Sequence, residues 1–412
     1  MTKKHYDWAN GPAVIDAHSI TKHSVLREYL IEYLVTLTQH FGKDRLSLSI
    51  IDGFCGGGVY TMDGQEILGS PFVLLDAVEH AKKLINLKRI KPVEFDIEYW
   101  FIDKDPRATA FLKQAFIDRG VQANHLHIVT STFEEQADRL IEAVQKKTPK
   151  AGRSIFVLDQ YGYSQVPIPK LHAIFSKLNK AEVLLTFHFD ALARYATSNN
   201  LQAALDRLGA QNILEGHSIE QLKREHPKGW KAVLQNALYR EITSKSGAKF
   251  HTPFYIRSSA GSGEFWLLHL SSHAKARDVM TGVHWSLQNQ CVHYGQAGII
   301  FKAGYVSAAD STYTKQVGFG FDEDAHALSI RALVNELPEI IEAKGSIEAH
   351  ELFVGLCNDL VATEAIMVEA LQELASGGVI QVSSADGKPR ARSAKIDGKD
   401  LLSMNQKSFH FL

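Results

Sequence analysis

The sequence predicts an α/β domain with a mostly parallel, seven-stranded sheet covered by helices on both faces, followed by a separate helical tail that ends in a hairpin. Three observations predict it. Strand-length apolar runs alternate with amphipathic helical runs five times between Leu46 and Phe187, the pattern of repeated βαβ units. Four of those units carry an acid or a short polar stretch at the strand's carboxyl end, and the first runs straight into a glycine-rich turn. Two further strands, Phe254 to Arg257 and Glu264 to Leu270, follow with only Ser258 to Gly263 between them, so they close the sheet as an antiparallel pair.

A chain of 412 residues has room for two domains. Its formal net charge of −1 provides no global basic field, so any contact with nucleic acid must come from a local patch. Cys55, Cys291 and Cys357 are far apart and form no C-x-x-C, which argues against a disulfide framework or a zinc site and suits a reducing cytoplasm. The opening MTKKHYDW lacks the apolar core of a signal peptide, and no apolar run reaches membrane length.

In chain order, residues 1–17 read as irregular, and Gly11-Pro12 breaks any helix there. A helix then starts near Ser19 and carries Leu26, Tyr29, Leu30, Tyr33, Leu34 and Leu37 on one face. Lys22 and His23 lie at its start, within reach of the crevice that follows. The strand Leu46 to Ile51 ends at Asp52 and enters Gly53-Phe54-Cys55-Gly56-Gly57-Gly58. Its D-x-F-x-G-x-G spacing is neither the phosphate loop, which needs a Lys-Ser/Thr pair, nor the dinucleotide fingerprint, because Tyr60 and Thr61 stand where the third glycine would fall.

Gly69-Ser70-Pro71 then opens a helix to Leu84, with Ser70 as the expected N-cap and Pro71 as its first residue. The second strand, Ile97 to Ile102, ends at Asp103, whose two carboxylate oxygens can accept from both hydroxyls of a ribose. The third, His125 to Val129, leads to Ser131 and Thr132. The fourth, Ser154 to Leu158, ends in Asp159-Gln160-Tyr161-Gly162-Tyr163, and the fifth is Glu182 to Phe187. Ligands bind beyond the carboxyl ends of such strands, so these tips should line one crevice. Residues 191–245 read as a helical insertion rich in Lys and Arg.

Beyond about residue 325 the pattern changes. Helices are expected at 325–343, 346–360 and 363–376, then a strand at 379–382 and a returning strand at 390–396. Three helices and a basic hairpin make a winged-helix pattern. From Asp386 to Lys407 six cations (388, 390, 392, 395, 399 and 407) face three acids (386, 397 and 400). That patch suits nucleic acid or a solvated hairpin on a protein-interaction module. The expected domains are 1–322 and 325–412.

The D-x-F-x-G-x-G turn resembles motif I of class I S-adenosylmethionine (SAM) methyltransferases. With Lys22-His23, Gly69-Ser70-Pro71, Asp159-Gln160-Tyr161-Gly162 and the strand Phe265 to Leu270, the chain resembles the three-Cys-motif partner family (TcmP) over most of its length. The N-terminal part also resembles bacterial ribosomal RNA adenine-N6 methyltransferases. The resemblance implies a Rossmann-like class I methyltransferase fold with SAM as cofactor, and a three-Cys-motif companion protein as partner. It implies cofactor contacts at Lys22, Asp52, Phe54, Cys55, Gly56, Gly58, Ser70, Asp103, Ser131 and Thr132, and catalytic roles for Asp159 with Tyr161 and Tyr163. In the RNA enzymes an acid and a proline carbonyl accept hydrogen bonds from an exocyclic amine while an aromatic ring stacks on the base. Here Asp159 remains, but Gln160 and Tyr161 replace the two prolines of D-P-P-Y. Two functions are therefore expected: a SAM-dependent methyltransferase of nucleic acid, or a methyltransferase-like binding module that works through its companion.

Overall fold

The computed structural model describes residues 7–8, 11–15, 17–39, 42, 44–87, 89–121, 124–160, 164–187, 198–214, 216–227, 230–257, 264–287 and 323–405. These fall into two compact units, residues 1–276 and 277–412.

The first unit begins with β1 (Ala13–Val14) and α1 (Ala17–Leu37). Val25, Leu26, Tyr29, Leu30, Tyr33 and Leu34 of α1 are buried, the three- and four-residue spacing of one helix face. β2 (Arg45–Asp52) leads through the glycine turn to β3 (Val59–Met62) and β4 (Gln65–Leu68). This hairpin turns at Asp63-Gly64, both with positive φ (51° and 78°), and Asp-Gly is the residue pair that favours such two-residue turns. Next come α2 (Ser70–Asn86), β5 (Glu94–Asp103), α3 (Pro106–Asp118), β6 (Leu126–Thr130), α4 (Phe133–Lys147), β7 (Ser154–Asp159), α5 (Ile168–Lys177) and β8 (Ala181–Phe187). The insertion contributes α6 (Ser198–Leu208), α7 (Ile219–Glu225) and α8 (Trp230–Lys245), and β9 (Phe250–Arg257) pairs with β10 (Glu264–Ser271).

The sheet has seven strands in the order β6-β5-β2-β7-β8-β10-β9, parallel except for β10, which runs antiparallel to both neighbours. It is the expected mixed α/β, class I methyltransferase-like sheet with a terminal antiparallel pair. From β2 the chain runs outward through β5 to β6, then returns to β7 on the other side of β2. The order therefore reverses between β2 and β7, and Asp52 and Asp159 end those two strands. β8 is buried along its whole length, as a strand covered on both faces must be. Its one acid, Glu182, accepts from the Tyr29 hydroxyl of α1 and lies 2.9 Å from His269 Nε2 of β10. This buried group of three ties α1 to the sheet. Burial, then the Glu182 charge, pushes the Tyr29 phenol well above its ordinary value.

The second unit takes most of α9 (Ala274–Ser286), so the division falls earlier than the expected 322–325. The reason lies in α9's own bonds. The buried Arg277 guanidinium donates to the carbonyls of Leu360 and Ala362, Trp285 Nε1 donates to Val361 O at 2.9 Å, and Asp278 accepts from Glu364 N at 2.8 Å. After α10 (Glu323–Lys344) come β11 (Ser346–Glu348), α11 (Ala349–Leu356), a 3-10 turn (Cys357–Asp359), α12 (Glu364–Ser376), β12 (Ile380–Ser383) and β13 (Leu401–Met404). Thr363 caps α12 as expected, its hydroxyl accepting from Ile366 N at 3.2 Å. The small sheet β11-β13-β12 is antiparallel throughout and completes a winged helix.

Two expectations are corrected in this unit. Residues 346–348 pair with β13 rather than opening the helix, and the returning strand is 401–404, not 390–396, because Leu402 is the fully buried residue that reaches the core. Residues between β12 and β13 form the wing. There Lys388 pairs with Asp386 at 2.8 Å and Arg390 with the buried Asp400 at 2.7 Å. Arg392, Lys395 and Lys399 stand exposed beside them, while Lys407 lies outside the described residues.

Candidate functional site

The glycine turn is held open by its own backbone bonds. Gly53 N donates to Val157 O of β7 and Cys55 N to Ile102 O of β5, both at 2.9 Å, so the turn is bonded to the strands on either side. Gly56 and Gly58 adopt φ of +57° and +75°, the left-handed region that side chains resist. Asp52 is fully buried at the start of the turn. Its Oδ1 accepts from Phe54 N at 3.2 Å, while its Oδ2 meets no hydrogen-bonding partner among the described residues. Burial raises its pKa to about 7, with the charges of Asp159 and Asp103 adding to the rise and the Ser70 hydroxyl and Phe54 amide opposing it. Helix α2 is capped by Gly69, one position before the expected Ser70, and Gly69 N donates to Gly58 O at 2.8 Å. Ser70 is instead the first residue of the helix, where its hydroxyl favours the charged form of Asp52.

Asp103 joins the second tip to this turn. Its Oδ2 accepts from Gly56 N at 3.0 Å and its Oδ1 from Asp105 N at 2.8 Å. Each carboxylate oxygen has a second lone pair for a ligand, and Asp103 is only half-buried. Burial raises its pKa, and the two amides oppose that rise. At the third tip, Thr132 and Glu135 form a reciprocal cap on α4, and Ser131 Oγ donates to Glu135 at 2.8 Å. Ser131 and Thr132 thus serve the helix terminus, while Ser131 N binds Asp103 O at 3.0 Å and fixes the tip beside the site.

At the fourth tip the ammonium of Lys22 sits 2.7 and 2.5 Å from the two oxygens of Asp159. Helix α1 delivers Lys22, which is nearly buried, whereas the Asp159 carboxylate keeps about a third of its surface exposed (32%). The predicted cofactor residue Lys22 is thus brought to the predicted catalytic one. His23 beside it is held neutral, its pKa lowered to about 4 by burial and then by the Lys22 charge. Gln160 is fully buried, and its Oε1 accepts from Gln165 N and Val166 N at 2.9 and 3.2 Å. Two backbone donors at one oxygen fix the amide's orientation, so Gln160 ties the end of β7 to residues 165 and 166, just before α5. Tyr161, Gly162 and Tyr163 lie outside the described residues. Cys55 is fully buried, its thiol pushed well up by burial, and Phe54 packs against Phe133.

These residues fit what SAM needs. Asp103 keeps acceptor capacity for a diol, and the Asp52 and Asp103 carboxyls at the turn favour a cation, the charge of Asp159 being met by Lys22. Sequence reasoning missed Trp8, whose ring lies 2.4 Å from where a Cβ on Gly57 would stand. A lone tryptophan in an irregular leader gave no periodic signal. It also missed the hairpin at Asp63-Gly64, although that pair was the signal for it. Among the described residues no cluster of His, Cys, Asp and Glu could hold a metal, and no helix is long and apolar enough to cross a membrane.

Residues 304–387 match the family described as GMT-like wHTH domain, which agrees with the winged helix built from α10 onward. No curated protein matches the sequence. Among solved structures the chain is similar to an rRNA methylase from Streptococcus thermophilus, at 12% identity over 63% of this chain and 100% of that one, with a TM-score of 0.28. It is likewise similar to magnesium protoporphyrin IX methyltransferase from Synechocystis PCC 6803 with bound S-adenosylhomocysteine (SAH), at 11% identity over 64% and 90% of the two chains, with a TM-score of 0.28. The fold assignment rests on the strand order and not on these likenesses.

Proposed function

We propose that the protein is a SAM-dependent methyltransferase that acts on nucleic acid, with an exocyclic amine of a base as the candidate acceptor, and that it works with a companion protein of the three-Cys-motif kind. The observation that carries the reading is the bond from Gly56 N to Asp103 at 3.0 Å. It joins the glycine turn and the acid of the next strand into one cradle, beside the point where the strand order reverses. When bound, SAM supplies a methyl group on a sulfonium that needs no further activation, so the protein's task is positioning and exclusion of water. Asp103 would hold the ribose and the turn backbone the rest of the cofactor. Asp159, oriented by Lys22, would accept a hydrogen bond from the acceptor group and take up the proton it loses.

Calorimetry tests the cofactor. Wild-type protein should bind SAM and SAH, and Asp103→Ala should weaken both by about tenfold to a hundredfold, as expected when a hydrogen bond to a charged group is lost. No binding heat with either ligand overturns the reading.

The tail's share in acceptor binding is tested through the wing. α12 carries Glu364, Glu369 and Glu373 and neither Lys nor Arg, so its charge repels phosphate. Within the wing, contact with nucleic acid would fall to the exposed Arg392, Lys395 and Lys399. Replacing all three by Ala should weaken binding to any sequence and flatten its dependence on salt by about three ion equivalents. Unchanged affinity and slope would show that the wing does not touch phosphate. A chain that binds SAH but labels no RNA or DNA, with the companion present, would favour the binding-module alternative.

A further inference from the structure

We propose that Trp8 is a positioning residue of the cofactor cradle: its indole clamps the glycine turn against α3 and holds the turn in its ligand-binding shape. The inference rests on the SAM reading above and deepens it by naming a part of the site that no motif contains.

The geometry is specific. A Cβ on Gly57 would stand 2.4 Å from Trp8 Cε3, and one on Gly56 would stand 3.4 Å from Trp8 Cζ2 and 2.5 Å from the Tyr60 hydroxyl. The indole's six-membered ring therefore occupies the space where side chains at Gly57 and Gly56 would stand. Its other sides meet Tyr60 edge-on at 5.1 Å and Phe111 of α3 at 5.3 Å, and it packs with Ala13 and Ala108. Only 6% of the residue is exposed.

These contacts join the two tips that make the cradle. Tyr60 follows the glycine turn on β3, while Ala108 and Phe111 belong to the helix that starts three residues after Asp103. The segment carrying Trp8 is itself anchored, since β1 pairs in parallel with β3 and Ile15 N donates to Thr61 O at 3.0 Å. The glycines thus answer two demands. They free the backbone for positive φ, and they leave room for a large, rigid ring that has few rotamers to lose. Without the ring, the turn would border a cavity, and the spacing between Gly56 N and Asp103 would no longer be fixed from outside. Precise binding sites depend on such supporting groups.

The test uses the full chain. Trp8→Ala should weaken SAH binding by about tenfold, measured by calorimetry at a temperature where thermal melts show the variant still folded. Trp8→Phe should restore most of the affinity because it keeps an aromatic plate. A purely structural role would lower the melting temperature and leave the affinity of the folded protein alone. Tryptophan emission is the second readout. SAH should shift the emission of wild-type protein, and that shift should vanish in Trp8→Phe although Trp100, Trp230, Trp266 and Trp285 remain. Wild-type affinity or tighter binding in Trp8→Ala, or a persistent emission shift in Trp8→Phe, overturns this inference alone. Failure of the wild-type chain to bind SAH overturns the cofactor reading and this inference with it.

Discussion

Asp159→Asn is expected to lower methyl transfer by about a hundredfold or more while SAH affinity stays within about threefold. The carboxylate ends β7 at the reversal point of the strand order and keeps part of its surface open to the crevice. Lys22 grips both of its oxygens, so the charged form is oriented before any acceptor arrives. Asparagine keeps the shape but loses the charge, and with it the capacity to take up a proton. The effect should therefore fall on transfer and spare cofactor binding. Lys22→Gln should move transfer in the same direction by loosening Asp159. If Lys22 also holds the cofactor, as the resemblance implies, SAH affinity will fall as well, and the two variants will separate those roles. Labelled methyl transfer into RNA and DNA, set beside SAH calorimetry on the same samples, makes the comparison. Transfer that survives Asp159→Asn would remove this residue from the chemistry without touching the fold.

The sheet and the order of its tips were legible in the sequence because buried parallel strands read as continuous apolar runs and their ends carry acids or glycines. The apolar run of the first long strand needs no tertiary information: Leu46, Leu48, Ile50 and Ile51 are all buried in β2. Partnerships were not legible, because they join residues far apart in the chain. Nothing in the spacing from Lys22 to Asp159 says that one side chain meets the other, and nothing in Ser131-Thr132 says that both side chains bond to Glu135 at the start of α4. Three helices and a hairpin make the winged helix legible in sequence. Its returning strand is harder to read, because the alternating Arg390 to Ile396 stretch resembles a strand more than the short Leu401 to Met404 does. Local pattern lost there to burial, since Leu402 fills the core. The acidic helix α12 was equally readable in sequence, but its meaning depends on knowing which helix precedes the wing.

The second large effect concerns Asp52 and pH. Its carboxyl is buried with one oxygen lacking a partner among the described residues, and its pKa is raised to about 7 from the usual carboxylate range. In the unfolded chain it ionises near pH ~4. The folded state therefore holds the proton more tightly, and stability falls as pH rises from about 4 through 7. Over that window the group opposes folding of the free protein by a few kcal/mol, because a tenfold difference in proton affinity between the two states is worth about 1.4 kcal/mol. Asp52→Asn keeps an oxygen for Phe54 N and removes the buried charge. It should be more stable than wild type at about pH 8, with the difference shrinking toward about pH 4, as read from denaturant midpoints across pH. A cation in the crevice would favour the ionised form, so SAM should gain affinity relative to the uncharged thioether SAH as pH rises through about 7, and Asp52→Asn should abolish that gain. Equal pH profiles for the two ligands in wild-type protein would place the Asp52 charge outside the reach of the sulfonium. A wild type no less stable than Asp52→Asn at that alkaline pH would show that the carboxyl is solvated or paired in solution.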